Sequence, residues 1–388
     1  MRAKNQLYKN SRYTVSVYFF MQGIIFATWA SRIPDIKSAL ALSEAALGGI
    51  LFAIPVGQIS AMALSAWAVN RFSSWNALLV AAILSPLSLI PIGLSSSPFM
   101  LSFSLLFFGI TCNLFNISVN TQGVDVERVF SKNIMATFHG LWSLGGFTGG
   151  VLSMILAAID INYLEHFIAL AAVMIICGMS FRRGLMPRDV KPEGQKSVEQ
   201  RRNILQRLDG YIILLGVMAF GAMMCEGTMF DWSGVYFADV VAAPDNLIRL
   251  GYIICMCTMT IGRFLSDRMV ARFGAARVVC ASGILIASGL LLSVLFPSIA
   301  IASIGFFCIG FGISSTVPIC YSMAGRSKSI SPGTALASVS TIGYLGFLIG
   351  PPLIGFCAEL ISLRWTFAVI AMAGLSISLL SRALKQYE

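Results

Sequence analysis

Apolar residues fall in long runs separated by short polar stretches. Such runs lie near residues 13–34, 45–68, 76–95, 98–122, 135–159 and 163–181, then 210–238, 248–268, 277–296, 298–323, 333–359 and 364–382. Each is close to the ~20 residues an α-helix needs to cross the hydrocarbon core. Backbone in hydrocarbon must satisfy its own hydrogen bonds, so each run predicts a spanning helix. The first run continues to Arg32 without a small-residue cleavage pattern and reads as a true span. The predicted fold is an all-α membrane protein with about twelve transmembrane helices.

The longest polar stretch, Arg182 to Asp209, predicts a cytoplasmic linker with a short helix at the headgroups. It divides the chain into six-span bundles at residues 1–181 and 210–388. The bundles repeat. A shift of 201 residues brings Val69-Asn70-Arg71-Phe72 onto Val270-Ala271-Arg272-Phe273 and Gly109 onto Gly310. It also brings Ala136, Leu144, Gly145 and Gly149 onto Ala337, Leu345, Gly346 and Gly350. With a small gap, Gln22-Gly23 before Trp29 resembles Glu226-Gly227 before Trp232. Parallel six-span repeats related by an axis along the membrane normal are a transporter architecture, with the site expected between halves near the midplane.

Composition removes the soluble alternative. With 57% hydrophobic and 11% charged residues, a soluble domain would leave too much apolar surface in water. The net charge of +10 does not mark a nucleic-acid binder, because its basic residues do not form one continuous face. All Lys and Arg except Arg32, Lys37, Arg249 and Arg364 fall on the side that holds both termini. The positive-inside rule makes that side cytoplasmic, as in a bacterial inner membrane. The nine cysteines lie inside apolar runs and read as packing residues, so neither a disulfide nor a metal site is expected.

Gly262-Arg263-Phe264-Leu265-Ser266-Asp267-Arg268, closing at Arg272-Phe273-Gly274, resembles the loop signature of the major facilitator superfamily. In the first-half copy Ala61 and Ala66 replace Gly262 and Asp267. Phe26 to Asp35, Asn120-Thr121-Gln122-Gly123 with Glu127, Phe138-His139-Gly140 through Gly146, and Glu226-Gly227 with Asp231-Trp232-Ser233 narrow the likeness. Together they resemble the YbjJ-like transporters, a branch near the fucose-permease-type sugar/proton symporters. The resemblance implies a transporter fold and leaves the substrate open, since fold does not determine function.

Several polar residues within spans are candidates for chemistry. Asn113, Asn116 and Asn120, at i, i+3 and i+7, share a helix face. They read either as hydrogen-bonding a hydroxyl-rich solute or as bonding another helix. Glu226 is the leading proton-coupling candidate, since carboxylates within the membrane mark ion pathways; the bland reading is a paired structural acid. Asp231 lies about 140° around the helix from Glu226, as a second coupling group or part of an outer network. His139, near the cytoplasmic end of its span, could relay protons or bond a carbonyl or Glu127. Gln22, Trp29, Trp142 and Tyr344 are candidate substrate contacts, each also readable as core. Arg32 and Asp35 are a candidate outer gate or a helix end at the headgroups. Glu127, Asp267 and Arg268 read as a cytoplasmic latch.

The expected activity is secondary transport of a small polar, sugar-like solute, coupled to protons by alternating access. The alternative is a proton-antiport exporter of drugs or metabolites. The partners expected are a small-molecule substrate, protons and the lipid bilayer, with no cofactor and no nucleic acid, for a monomer. An enzyme is not expected, because His139 and His166 lie near opposite membrane faces and cannot share a site. A channel is not expected, because no charged ring or filter loop appears.

Overall fold

The computed structural model describes residues 2–130, 134–186, 210–326 and 332–384. The described residues are helical almost throughout. In the first half the helices are α1 (Arg2–Ala30), α2 (Ile33–Ala39), α3 (Glu44–Leu51), α4 (Ala53–Leu87), α5 (Leu89–Gly93), α6 (Pro98–Phe130), α7 (Met135–Ala158) and α8 (Tyr163–Phe181). In the second they are α9 (Gly210–Asp239), α10 (Leu250–Phe273), α11 (Ala275–Leu295), α12 (Ile299–Ala324), α13 (Pro332–Ile361) and α14 (Leu363–Leu384). The chain divides into two compact units. One is Met1–Lys191 with Asp245–Arg249; the other is Pro192–Pro244 with Leu250–Glu388. The expected surface helix in the linker lies outside the described residues.

Ten helices among the described residues are long and apolar enough to cross a membrane. Two local features account for the difference from twelve. Residues Glu44–Gly93 form one apolar stretch, yet α4 breaks at Ser73, where φ 73° and ψ 155° leave the helical region. Two of the expected spans meet at that kink. The eighth expected span, α10, is less apolar than the others, because it carries Arg263, Asp267, Arg268 and Arg272.

Within the first unit α1 packs chiefly on α7, and α4 on α6; within the second α9 packs on α13, and α11 on α12 and α14. These pairings are equivalent under the repeat. Its register shows in the backbone. Ser73 and Gly274, 201 residues apart, share one conformation, with φ 84° and ψ 154° at Gly274. Ala41 (φ 49°) and Ala242 (φ 52°) form a second such pair. It shows also in close approaches. A Cβ at Gly109 would strike the carbonyl oxygen of Ile54, and one at Gly310 that of Cys255, the equivalent residue. Gly145 meets Phe20, and Gly346 meets Phe220. That last pair corrects the alignment of the first and seventh spans. Phe20 corresponds to Phe220, so Glu226 stands level with Phe26 and not with Gln22.

Candidate functional site

In the second unit, Glu226 sits past the midpoint of α9, on a helix without other acids before Asp231. Only 7% of its surface is exposed. Its Oε1 accepts a hydrogen bond from Arg263 Nη2 of α10 at 2.8 Å. Either charge buried alone would cost several kcal/mol, and the pair offsets that cost. Tyr321 of α12 lies in electrostatic range of Glu226, and its hydroxyl is hydrogen-bonded to Ser340 of α13. Cys255 of α10 lies in range of both Glu226 and Arg263. Beside this group, the Phe230 and Phe347 rings stack at 6.3 Å, and Tyr344 lies 6.3 Å from Phe347. Asp231 is half-buried and in electrostatic range of Tyr252, apart from the Glu226–Arg263 pair.

Arg263 escaped the sequence reading because it stands among the basic residues of a loop signature. The signal that could have found it is depth. It lies mid-helix in α10, where a guanidinium calls for a carboxylate partner.

The first unit presents a different inventory. Gln22, Phe26 and Trp29 share a face of α1. Phe26 packs against Phe108 of α6 at 6.4 Å and Trp142 of α7 at 6.2 Å. Gln22 and Trp29 are buried, and Gln22 Oε1 and Trp29 Nε1 have no hydrogen-bond partner. Asn113 Oδ1 is likewise shut off from solvent without a partner. Buried polar atoms are nearly always satisfied; others without a partner, such as Trp232 Nε1 and Tyr252 Oη, lie in the second unit. The amide stripe divides. Asn120 Nδ2 donates to Asn116 Oδ1 at 2.8 Å and to its carbonyl at 2.7 Å, so these two bond each other along one helix.

Elsewhere in this unit the candidates have structural partners. Glu127 Oε1 accepts from the backbone N–H groups of Ile134 (2.6 Å) and Met135 (2.8 Å) and so caps α7. His139 is exposed and turns its ring edge-on to Phe19 at 5.4 Å. Gln122, which the sequence marks only as part of a motif, has a structural role. It bonds Ser74 Oγ (2.7 Å) and both backbone groups of Met186 (2.9 and 2.8 Å), fastening the chain beyond α8 to α4.

Arg32 is buried, with 2% exposure. It pairs with Asp35 at 3.7 Å, donates to the Ile161 carbonyl at 3.0 Å and reaches His166 Nδ1 at 3.4 Å. Asp35 also pairs with Arg249 of the 245–249 segment. Asp267 and Arg268 lie on the exposed side of α10.

The family model of the Major Facilitator Superfamily matches residues 14–330 and 268–385. An uncharacterised transporter of that type from Yersinia pestis is 31% identical over 366 residues, spanning 94% of this chain and 93% of the relative. The membrane protein MosC of Rhizobium meliloti is 28% identical over 364 residues, with 94% and 88% covered. Among solved structures, the nucleoside transporter NupG matches with a TM-score of 0.74 at 12% identity, covering 98% of this chain and 100% of that one. A D-xylose-proton symporter matches with a TM-score of 0.71 at 15% identity, covering 94% and 97%. The helical repeat and the match along the whole chain together show that this chain belongs to the major facilitator superfamily of membrane transporters.

Proposed function

We propose that this transporter is a secondary active carrier of a small, hydroxyl-rich solute, driven by protons through alternating access. The observation that carries the reading is the buried carboxylate of Glu226. The first unit holds buried amide oxygens with no partner, at Gln22 and Asn113, while unpartnered indole and hydroxyl groups occur in both units. The second holds a buried carboxylate on a guanidinium, Glu226 on Arg263. Unpartnered donors and acceptors suit a solute that supplies the missing hydrogen bonds. A membrane-buried acid suits a group that takes up and releases a proton. Trp142 and Tyr344 supply aromatic faces for the apolar side of such a solute, Asn116 and Asn120 extend the polar face, and Asp231 and His139 are secondary proton groups. Arg32 and Asp35 form an outer gate, while Glu127, Asp267 and Arg268 belong to the cytoplasmic latch. The carrier works as a monomer in the bacterial inner membrane. Two proteins that share this fold are, by their names, a nucleoside transporter and a D-xylose–proton symporter, the solute class proposed.

The test is Glu226→Gln in proteoliposomes. Accumulation driven by a pH gradient is expected to disappear while exchange of solute for solute continues. Accumulation at the parent level removes Glu226 from the coupling role. In everted vesicles, alkalinisation of the lumen on adding solute would instead indicate proton antiport.

A further inference from the structure

Asp231 differs from Glu226 in having no counter-charge. We propose that the solute carries an ammonium group, as an amino sugar or similar hydroxylated primary amine does, and that Asp231 is the residue that binds it. This rests on the reading of the chain as a carrier of small hydroxylated solutes, and it gives Asp231 a solute-binding role beyond the secondary proton role above.

From Met224 to Phe237 every residue of α9 is buried except Asp231, which is half-buried. A helix with one side against lipid would leave a stripe of exposed residues three and four apart. The opening at Asp231 is therefore not towards lipid. Ionisable residues inside a span ordinarily pair with one another or with backbone groups. Glu226, on the same helix, has Arg263 at 2.8 Å. The carboxylate of Asp231 has neither an ion pair nor a hydrogen bond among the described residues.

The neighbours of Asp231, all in the second unit, suit a cation. Tyr252 of α10 lies in electrostatic range of the carboxylate, and its buried hydroxyl has no hydrogen-bond partner. Gly227 precedes Asp231 by four residues and so shares its face of α9. Phe347 of α13 packs there, since a Cβ at Gly227 would lie 3.0 Å from its Cδ1. Phe230 stacks on Phe347 at 6.3 Å and lies 6.4 Å from Tyr252. An ammonium has three N–H donors and a full positive charge. One donor meets the carboxylate in a charge-assisted bond, and a second meets the phenol oxygen. The charge is attracted to the aromatic faces. A hydroxyl in that place would donate to the carboxylate and leave its charge unbalanced, and an anion would be repelled. The ammonium cancels the charge, so the loaded site enters the transition neutral.

The experiment uses matched probes, D-glucosamine against D-glucose and N-acetyl-D-glucosamine, and D-galactosamine against D-galactose. Binding is read as a rise in melting temperature of the full-length protein in detergent, at about pH 6, where an amine of the α-amino kind is charged. Transport is read as radiolabelled uptake into proteoliposomes. At least one amino sugar is expected to stabilise the protein, and its uncharged counterparts not to. Asp231→Asn, close to aspartate in shape, should fold and weaken amine binding about tenfold or more, the loss of a charged hydrogen bond. Asp231→Glu should restore part of it. Tyr252→Phe removes only the hydroxyl and should weaken amine binding by a smaller factor. Asp239→Asn removes an exposed acid at the end of the same helix and should leave binding at the parent level.

Stabilisation by none of the amino sugars, equal stabilisation by an amino sugar and its parent sugar, or parent-level amine binding by Asp231→Asn overturns the proposal. If Asp231→Asn binds every probe as the parent does but loses accumulation driven by a pH gradient, Asp231 handles the proton alone. The two readings fail separately. An uncharged sugar accumulated by a pH gradient, without binding of its amine, sinks the ammonium and spares proton coupling. An amino sugar that binds through Asp231 but accumulates without regard to pH sinks proton coupling and spares the ammonium.

Discussion

Ser73 holds a conformation, φ 73° and ψ 155°, that is open to glycine and strained by about 1–3 kcal/mol for other residues. Its equivalent in the second unit is Gly274, which adopts the same angles without a Cβ. Ser73→Gly is therefore expected to raise stability by about 1 kcal/mol, after subtracting the extra freedom of an unfolded glycine. Thermal melting in detergent checks it, and a fall in melting temperature would contradict the strain. The sequence marks this site only by its place after Phe72, opposite Gly274 in the repeat. Serine by itself announces no turn within an apolar run. Glu226 was legible at the same scale because an acid inside a span stands out against its neighbours. Arg263 was not, since it stands among the basic residues of a loop signature and only its depth within α10 sets it apart.

Glycines control how the helices approach one another. Gly109 and Gly310 lie where a Cβ would meet a backbone carbonyl of the packed helix, and backbone cannot move aside as a flexible side chain does. Gly109→Ala and Gly310→Ala should each destabilise by about 1–3 kcal/mol, the usual cost of overpacking. Gly350→Ala is the contrasting case. Its Cβ would meet Met224 at an ordinary 3.7 Å, so the substitution should be neutral or mildly stabilising through helix propensity. Equal losses at all three positions, measured as melting temperatures, would show that the glycines act through something other than close packing. The small-residue spacing was visible in the sequence, whereas the difference between Gly149 and Gly350 was not. A Cβ at Gly149 would lie 2.9 Å from that of Ala27, and its repeat partner has room. Glu127 gives the same lesson. Its bonds to the Ile134 and Met135 N–H groups at the start of α7 could not be read from its place on α6.

At the scale of the molecule, the repeat governs the backbone, and the polar chemistry departs from it. The helix pairings, the paired positive-φ residues and the glycine contacts recur in both units. The unpartnered amides occur in one unit, and the Glu226–Arg263 pair in the other. Orientation belongs to this scale too, because it depends on the sum of basic residues on each side. A fluorescent-protein fusion at Glu388 should be bright, and an alkaline-phosphatase fusion there inactive, for a cytoplasmic C-terminus. Phosphatase fusions near Lys37 or Arg249 should be active. The reverse pattern would overturn the assigned orientation.

The sequence by itself determined that the chain spans a membrane many times as helices, that its halves repeat with an offset of 201 residues, and that Glu226 falls inside an apolar run; the burial of Asp125 in α6 it did not single out. These follow from apolar length, from local periodicity and from the cost of charge in hydrocarbon, all of which act along the chain. Tertiary structure alone decided the partners. Arg263 meets Glu226 across 37 positions, Gln122 meets Met186 across 64, and Arg249 meets Asp35 across 214. Such pairs depend on how helices are rotated and packed against one another, and no spacing within a single helix encodes that.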